Sequence, residues 1–252
     1  MNRCLLEIQT ITGPFDRKSF LFVVSMKYWT DYFASLDGFK FAELFEKTDH
    51  VWEPLSLIKV HLDEMVKTNA PISGSIPEGV QVSGPVWIGE NTRIEPGVFI
   101  KGPSWIGSGC QIRHNAYIRE YSIIGDNCLV GNSTEVKNSI LIGGCEVPHF
   151  NYVGDSILGW KAHLGAGVIL SNFKQTSGAV KIVVDEEKID TGLRKFGAIL
   201  GDGSTAGCNS VLNPGSLIGP GSVLYPNCNW RGFLPKNTIL KVRQTQQSVE
   251  MR

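Results

Sequence analysis

An aliphatic residue returns at every sixth position over one long stretch: Ile76, Val82, Ile88, Ile94, Ile100, Ile106, Ile112, Ile118, Ile124, Val130, Val136 and Ile142. An α-helix repeats near 3.6 residues and a strand at 2, so neither accounts for the pattern. A six-residue period predicts a parallel β-helix, in which each flat side is a short strand and each corner a tight turn. Three hexapeptides make one coil of about 18 residues, stacked on the next at ~4.8 Å. Gly89, Gly107, Gly125 and Gly143 follow aliphatic residues at that interval, which places them in one column along an edge where the backbone is crowded.

The period slips after Ile142 and resumes at Leu158, Leu164 and Leu170, displaced by two residues; the stretch between holds Pro148-His149-Phe150-Asn151-Tyr152. A break in so regular a pattern is where function concentrates. Residues 173–195 abandon the repeat, and Val180–Val184 with Lys188–Asp190 predict a small inserted hairpin. Leu200, Ala206, Leu212, Ile218, Leu224 and Trp230 restore the repeat for two further coils, about seven in all. Upstream, Phe39, Phe41, Leu44 and Phe45, then Leu55, Ile58, Leu62 and Met65, recur at helical spacing, with Pro54 suited to a first turn. The expected organisation is a tail (1–25), a helical region of two or three short helices opening at Met26 (26–70), a β-helix carrying the inserted loop (71–235) and a polar C-terminal tail (236–252). Residues 68–75 read as a linker.

Trp87, Trp105, Ile123 and Leu141 precede the inward-facing residues and should therefore point outward. Such an apolar column needs a cover. A neighbouring subunit is the favoured candidate and the N-terminal helices the other.

Equal numbers of basic and acidic residues, 24 each, give no electrostatic case for nucleic acid or a membrane surface. No apolar run approaches ~20 residues, and Ser19–Met26, preceded by Asp16, Arg17 and Lys18, does not read as a signal peptide. Six cysteines without a Cys-x-x-Cys pair argue against a zinc knuckle; Cys110, Cys128 and Cys228 occupy small-residue packing positions, and a cytoplasmic setting is expected.

Lys101, Arg119 and Lys137 stack along one edge at 18-residue intervals. Like charges ~4.8 Å apart need an overlying anion, neighbouring acids or solvation. His149 is either a histidine satisfied by backbone or a general base, since neutral imidazole accepts a proton near pH 7. A metal on His114, His149 and His163 is disfavoured, because the close His-x4-His pair of the hexapeptide-repeat carbonic anhydrases is missing.

Three motifs sharpen this. Gly131-Asn132-Ser133-Thr134-Glu135-Val136-Lys137 resembles Gly-Asn-Phe-Val-Glu-x-Lys, His149-Phe150-Asn151-Tyr152-Val153-Gly154-Asp155 resembles His-Leu-x-Tyr-x-Gly-Asp, and Gly165 through Asn172 resembles Gly-Ala-Gly-x-Ile-x-x-Asn. With the ungapped spacing from Arg119 to Asn172, the region from Ile118 to Arg243 resembles the acetyltransferase domain of the bacterial bifunctional enzyme that makes UDP-N-acetylglucosamine. The resemblance implies a left-handed β-helix and a homotrimer with sites between subunits. It also implies acetyl transfer from acetyl-CoA to a phosphorylated amino sugar, with glucosamine 1-phosphate the expected acceptor and no metal required. By the same resemblance Arg119 and Lys137 hold the sugar phosphate, His149 takes the proton from the attacking amine, Tyr152 and Asn172 orient the sugar, and Asn172 or a backbone amide meets the oxyanion. His163 stands where the family has a substrate-binding asparagine; Cys208 and Pro226 replace small residues near the coenzyme, and Arg243 matches a coenzyme-binding arginine.

Asn172-Phe173-Lys174 replaces Asn-Tyr-Asp-Gly, and the loop 173–195 is longer than the family's. Residues 1–75 contain neither the strand nor the Gly-rich loop that opens that family's pyrophosphorylase domain, so acetyl transfer without nucleotidyl transfer is expected. Two alternatives stay open: a non-catalytic sugar-nucleotide-binding or scaffolding trimer, and an acyltransferase for a different amino sugar.

Overall fold

The structure, a computed structural model, describes residues 8–10, 27–68, 76–184, 186–243 and 247–251. Residues 69–75, most of the segment 1–25 and Met26 lie outside the described residues. The architecture is the expected left-handed parallel β-helix, a three-sided prism of short parallel strands. Faces B and C each hold eight strands; face A holds nine, of which Ile8–Thr10 is an added strand antiparallel to Thr238–Leu240. Eight coils thus replace the expected seven. The last strand, Thr238–Leu240, lies inside the stretch read as a tail, and Leu240 is buried in the core.

Each face sends one inward residue per coil into a continuous apolar core. Face A contributes Ile94, Ile112, Val130, Val147, Leu164, Ala206, Leu224 and Leu240; face B contributes Ile100, Ile118, Val136, Val153, Leu170, Leu212 and Trp230; face C contributes Ile106, Ile124, Leu141, Leu158, Leu200, Ile218 and Leu234. Full burial of one such side chain is worth ~1.5–3 kcal/mol, so the column itself drives coil stacking. The chain runs from face B to C to A and back, which defines the B–C, C–A and A–B edges.

The repeat does not break after Ile142. Val136 to Leu141 and Val153 to Leu158 are each one residue short, both at the B–C edge. Two coils of 17 residues result, with Leu141 pairing Ile124 and Leu158 on the inward side. Leu141 therefore points inward and Ile140 takes the outward place, in register with Ile123 and Ile157. Ile142 belongs to the outer cluster, and it, not Gly143, is stacked beside Gly125: the Gly125 amide donates to Leu141 O at 2.7 Å, and a Cβ on Gly125 would collide with the Ile142 carbonyl.

The outward column of face C (Trp87, Trp105, Ile123, Ile140, Ile157, Ile199, Leu217, Phe233) is covered within the chain rather than by a neighbouring subunit. Helices Glu43–Glu46 and Pro54–Thr68, with the loop before them, lay Phe33, Phe41, Phe45, Trp52, Ile58 and Leu62 against it. A neighbouring subunit, the cover favoured from the outward pattern, is not needed, because helical aromatic residues supply enough apolar area without a second chain. The hairpin Lys181–Val184 with Glu187–Asp190 adds Val180, Ile182 and Val184 to the same cluster, and Lys27 pairs with Glu187 across the two covers.

Candidate active site

The B–C edge carries the cation column. Lys101 Nζ lies 3.5 Å from Glu120 Oε2, Arg119 Nη1 donates to Glu135 Oε1 at 2.9 Å, and Lys137 Nζ donates to Asp155 Oδ2 at 2.9 Å. Of the reliefs open to these stacked charges, neighbouring acids are therefore the one built into the chain. The hydrogen bond that Arg119 donates to Glu135 raises the guanidinium pKa further above its ordinary value, so Arg119 stays charged.

The two shortened corners shape what lies beyond. Asn138 and Asp155 both turn through positive φ, at 43° and 46°, and their side chains meet where Asn138 Nδ2 donates to Asp155 Oδ1 at 2.8 Å. One coil further, Asn172 Nδ2 donates to Asp155 Oδ2 and, at 3.2 Å, to Tyr152 Oη. Burial, then the negative charges of Glu135 and Asp155, push the Tyr152 phenol pKa upward and keep it neutral. Both N–H groups of Asn172 are thus engaged inside the chain, which leaves a backbone amide as the freer oxyanion donor.

Arg119, Lys137, Tyr152 and Asn172 line one cavity of about 310 Å³. The inserted loop adds two residues that reading missed, Phe173 and Lys195, paired as an isolated bridge at the neck of the insertion. Lys195 is exposed and has no ion pair among the described residues, in contrast to the column cations. Arg194 lies over the Phe173 ring at 4.2 Å. No repeat position marks Lys195, so only the end of the insertion could have signalled it.

His149 sits across face B from this cavity, on the A–B edge. Its ring is exposed and makes no hydrogen bond among the described residues, while its amide donates to Asn151 Oδ1 at 3.1 Å. Backbone bonds stack the edge into a row: Phe150 N to Asn132 O (2.9 Å), Gly167 N to His149 O (2.9 Å), Asn209 N to Ala166 O (2.8 Å) and Asn227 N to Cys208 O (2.9 Å). His149, Ala166, Cys208 and Pro226 therefore lie in one line, and Cys208 is the exposed thiol among the described cysteines. His163 points out from face A, with Nδ1 3.0 Å from Glu146 Oε2, and lines neither the cavity nor the edge row. Arg243 is exposed beyond the last strand. Among the described residues no group of three His, Cys, Asp or Glu side chains could hold a metal, and no helix is long and apolar enough to cross a membrane.

The chain is similar to bifunctional nucleotidyl- and acetyltransferase proteins. A bifunctional sugar-1-phosphate nucleotidylyltransferase/acetyltransferase from Sulfurisphaera tokodaii is 35% identical over 175 residues, 69% of this chain and 43% of that protein. A bifunctional protein GlmU from Methanococcus maripaludis strain C7 is 40% identical over 195 residues, 77% of this chain and 46% of that protein. The chain thus spans less than half the length of the curated relatives it matches. The family described as GMPPB C-terminal domain matches residues 100–202. Among solved structures, a hexapeptide transferase family protein from Anaplasma phagocytophilum aligns over 69% of this chain and 79% of that chain, with 20% identity and a TM-score of 0.33.

Proposed function

We propose that the protein is an N-acetyltransferase that moves the acetyl group of acetyl-CoA onto the amine of a phosphorylated amino sugar, glucosamine 1-phosphate being the first candidate. The observation that carries this reading is the pairing, across one face, of an unencumbered imidazole with a cation-lined cavity. Arg119, Lys137 and Lys195 would hold the phosphate, and Tyr152 and Asn172 the sugar ring. His149 would take the proton that an ammonium must lose before its nitrogen can attack the thioester carbonyl. The amide of Ala166, one coil below His149 and without a hydrogen bond among the described residues, would donate to the tetrahedral oxyanion. Collapse of that intermediate expels the coenzyme thiolate, which leaves as the thiol with the proton carried by His149.

The coenzyme would lie along the edge row past Cys208 and Pro226 toward Arg243, and a trimer about the A–B edge would close each site, since face C is already covered. Similarity to bifunctional acetyltransferases supports the reaction class. The deciding assay is acetyl-CoA-dependent thiol release with glucosamine 1-phosphate, galactosamine 1-phosphate and UDP-linked amino sugars offered separately. Turnover on one of them, lost in His149→Ala, is the expected result. No turnover on any would transfer the case to a binding protein.

A further inference from the structure

Of the three cations lining the cavity, Arg119 and Lys137 each hold a carboxylate, whereas Lys195 has none among the described residues. A phosphate placed there gains most from Lys195, because Glu135 and Asp155 already offset the other two charges. Lysine carries its charge on a flexible four-carbon stem, so the backbone beneath it must be held in place.

The hold lies on the opposite side of the same segment. Lys195 bridges Phe173, and Phe196 N donates to Asn172 O at 2.9 Å. The chain is extended here, so neighbouring side chains take opposite sides. Lys195 faces the cavity, while Phe196 is fully buried in the outer cluster beneath the helices. Its ring lies 6.4 Å from that of Trp52, centroid to centroid. His50 stacks on the same indole at 4.6 Å and 19°, with Nδ1 2.9 Å from Glu53 Oε1 just ahead of helix Pro54–Thr68.

The next residue fixes the other end. Gly197 N donates to Asp155 O at 2.8 Å, and a Cβ on Gly197 would stand 2.4 Å from Gly154 O. Pressed this closely on the prism, the segment has one freedom left, to tilt about Gly197. The seat of Phe196 against Trp52 removes it.

We propose that Trp52 and Phe196 are positioning residues for Lys195: the helical layer that covers face C also fixes the cation that receives the acceptor's phosphate. Neither residue lines the cavity, so each acts through Lys195. The inference rests on the acceptor reading above.

A kinetic cycle tests it, run on the phosphorylated acceptor that the native protein acetylates. Trp52→Leu, Phe196→Leu and Lys195→Gln are compared singly, and each Leu variant is then combined with Lys195→Gln, all well below their unfolding midpoints. Each single change should raise the acceptor KM about tenfold while kcat and the acetyl-CoA KM stay within about twofold. In the Lys195→Gln background the Leu changes should add nothing further. Phe196→Leu, the smaller change, carries the cycle alone where Trp52→Leu does not fold. A merely structural role would lower kcat or weaken both substrates, and its effect would multiply with that of Lys195→Gln. Either outcome overturns the proposal, as does a native acceptor KM in the Leu variants. Failure of the native protein to acetylate any phosphorylated acceptor would instead overturn the acceptor reading, and the positioning role with it.

Discussion

Asp155 is the common partner of Lys137 and Asn172: one of its carboxylate oxygens accepts from both, and the other accepts from Asn138 at 2.8 Å. The side chains of Lys137 and Asp155 are only 15% and 6% exposed, so removing the acid strands a largely buried ammonium. Asp155→Ala should cost about 2–4 kcal/mol in urea unfolding, at the scale of a broken buried pair. A cost under ~0.5 kcal/mol, the range of surface substitutions, would show that the pair contributes only surface electrostatics.

His149 presents the opposite case, an exposed ring without hydrogen bonds. His149→Ala should lower acetyl transfer by roughly 10²–10⁴-fold, the usual contribution of a general base, while moving the unfolding midpoint little. A variant with native rate would remove His149 from the mechanism.

Thiol chemistry should map the edge row. Burial pushes the Cys110 thiol to about 11, and the thiolate is the reactive form, so buried cysteines should resist an aromatic disulfide reagent at pH 8. Cys208 is exposed and should react fast. Cys208→Ser should remove one rapid equivalent, and CoA should shield that thiol in the native protein. Undiminished labelling at saturating CoA would place the coenzyme elsewhere.

Trp52, 1% exposed, packs near Phe196, next in sequence to Lys195 of the cavity. Trp52→Ala should cost about 3–5 kcal/mol and expose the face C column to an apolar dye. Unchanged dye binding with unchanged stability would mean that the helices are not the cover.

Asp202 gives a pH signature. Its carboxylate accepts from Ala34 N and Trp160 N, both at 2.8 Å, yet burial outweighs these bonds and raises its pKa above 3.8. The folded state then keeps a proton that the unfolded chain has lost, so this group's contribution to stability falls as pH rises through the interval starting near 3.8. The unfolding free energy of the native protein minus that of Asp202→Asn should decline across that interval. A flat difference would refute the assignment.

Much of the solenoid was legible because an aliphatic residue points into the prism at every sixth place, and Ile94 through Val136 obey that rule without interruption. The shortened corners were not legible. Ile140, Leu141 and Ile142 are all aliphatic, so hydrophobicity cannot say which faces inward; register with Ile123 and Ile124 decides it. The cavity residues Arg119, Lys137, Tyr152 and Asn172 could be named from repeat position and motif. Asp155, which ties Lys137 and Asn172 to Asn138, and Lys195, which arrives from an insertion, depend on contacts that spacing does not encode.

Solenoids ordinarily unfold piecemeal, each repeat answering only to its neighbours. Here a continuous outer layer touches coils from Trp105 to Leu217, and Lys27 is fastened to Glu187. Fraying one coil would lift the layer from all the others. The linear stack is thereby converted into a body that should melt in a single step.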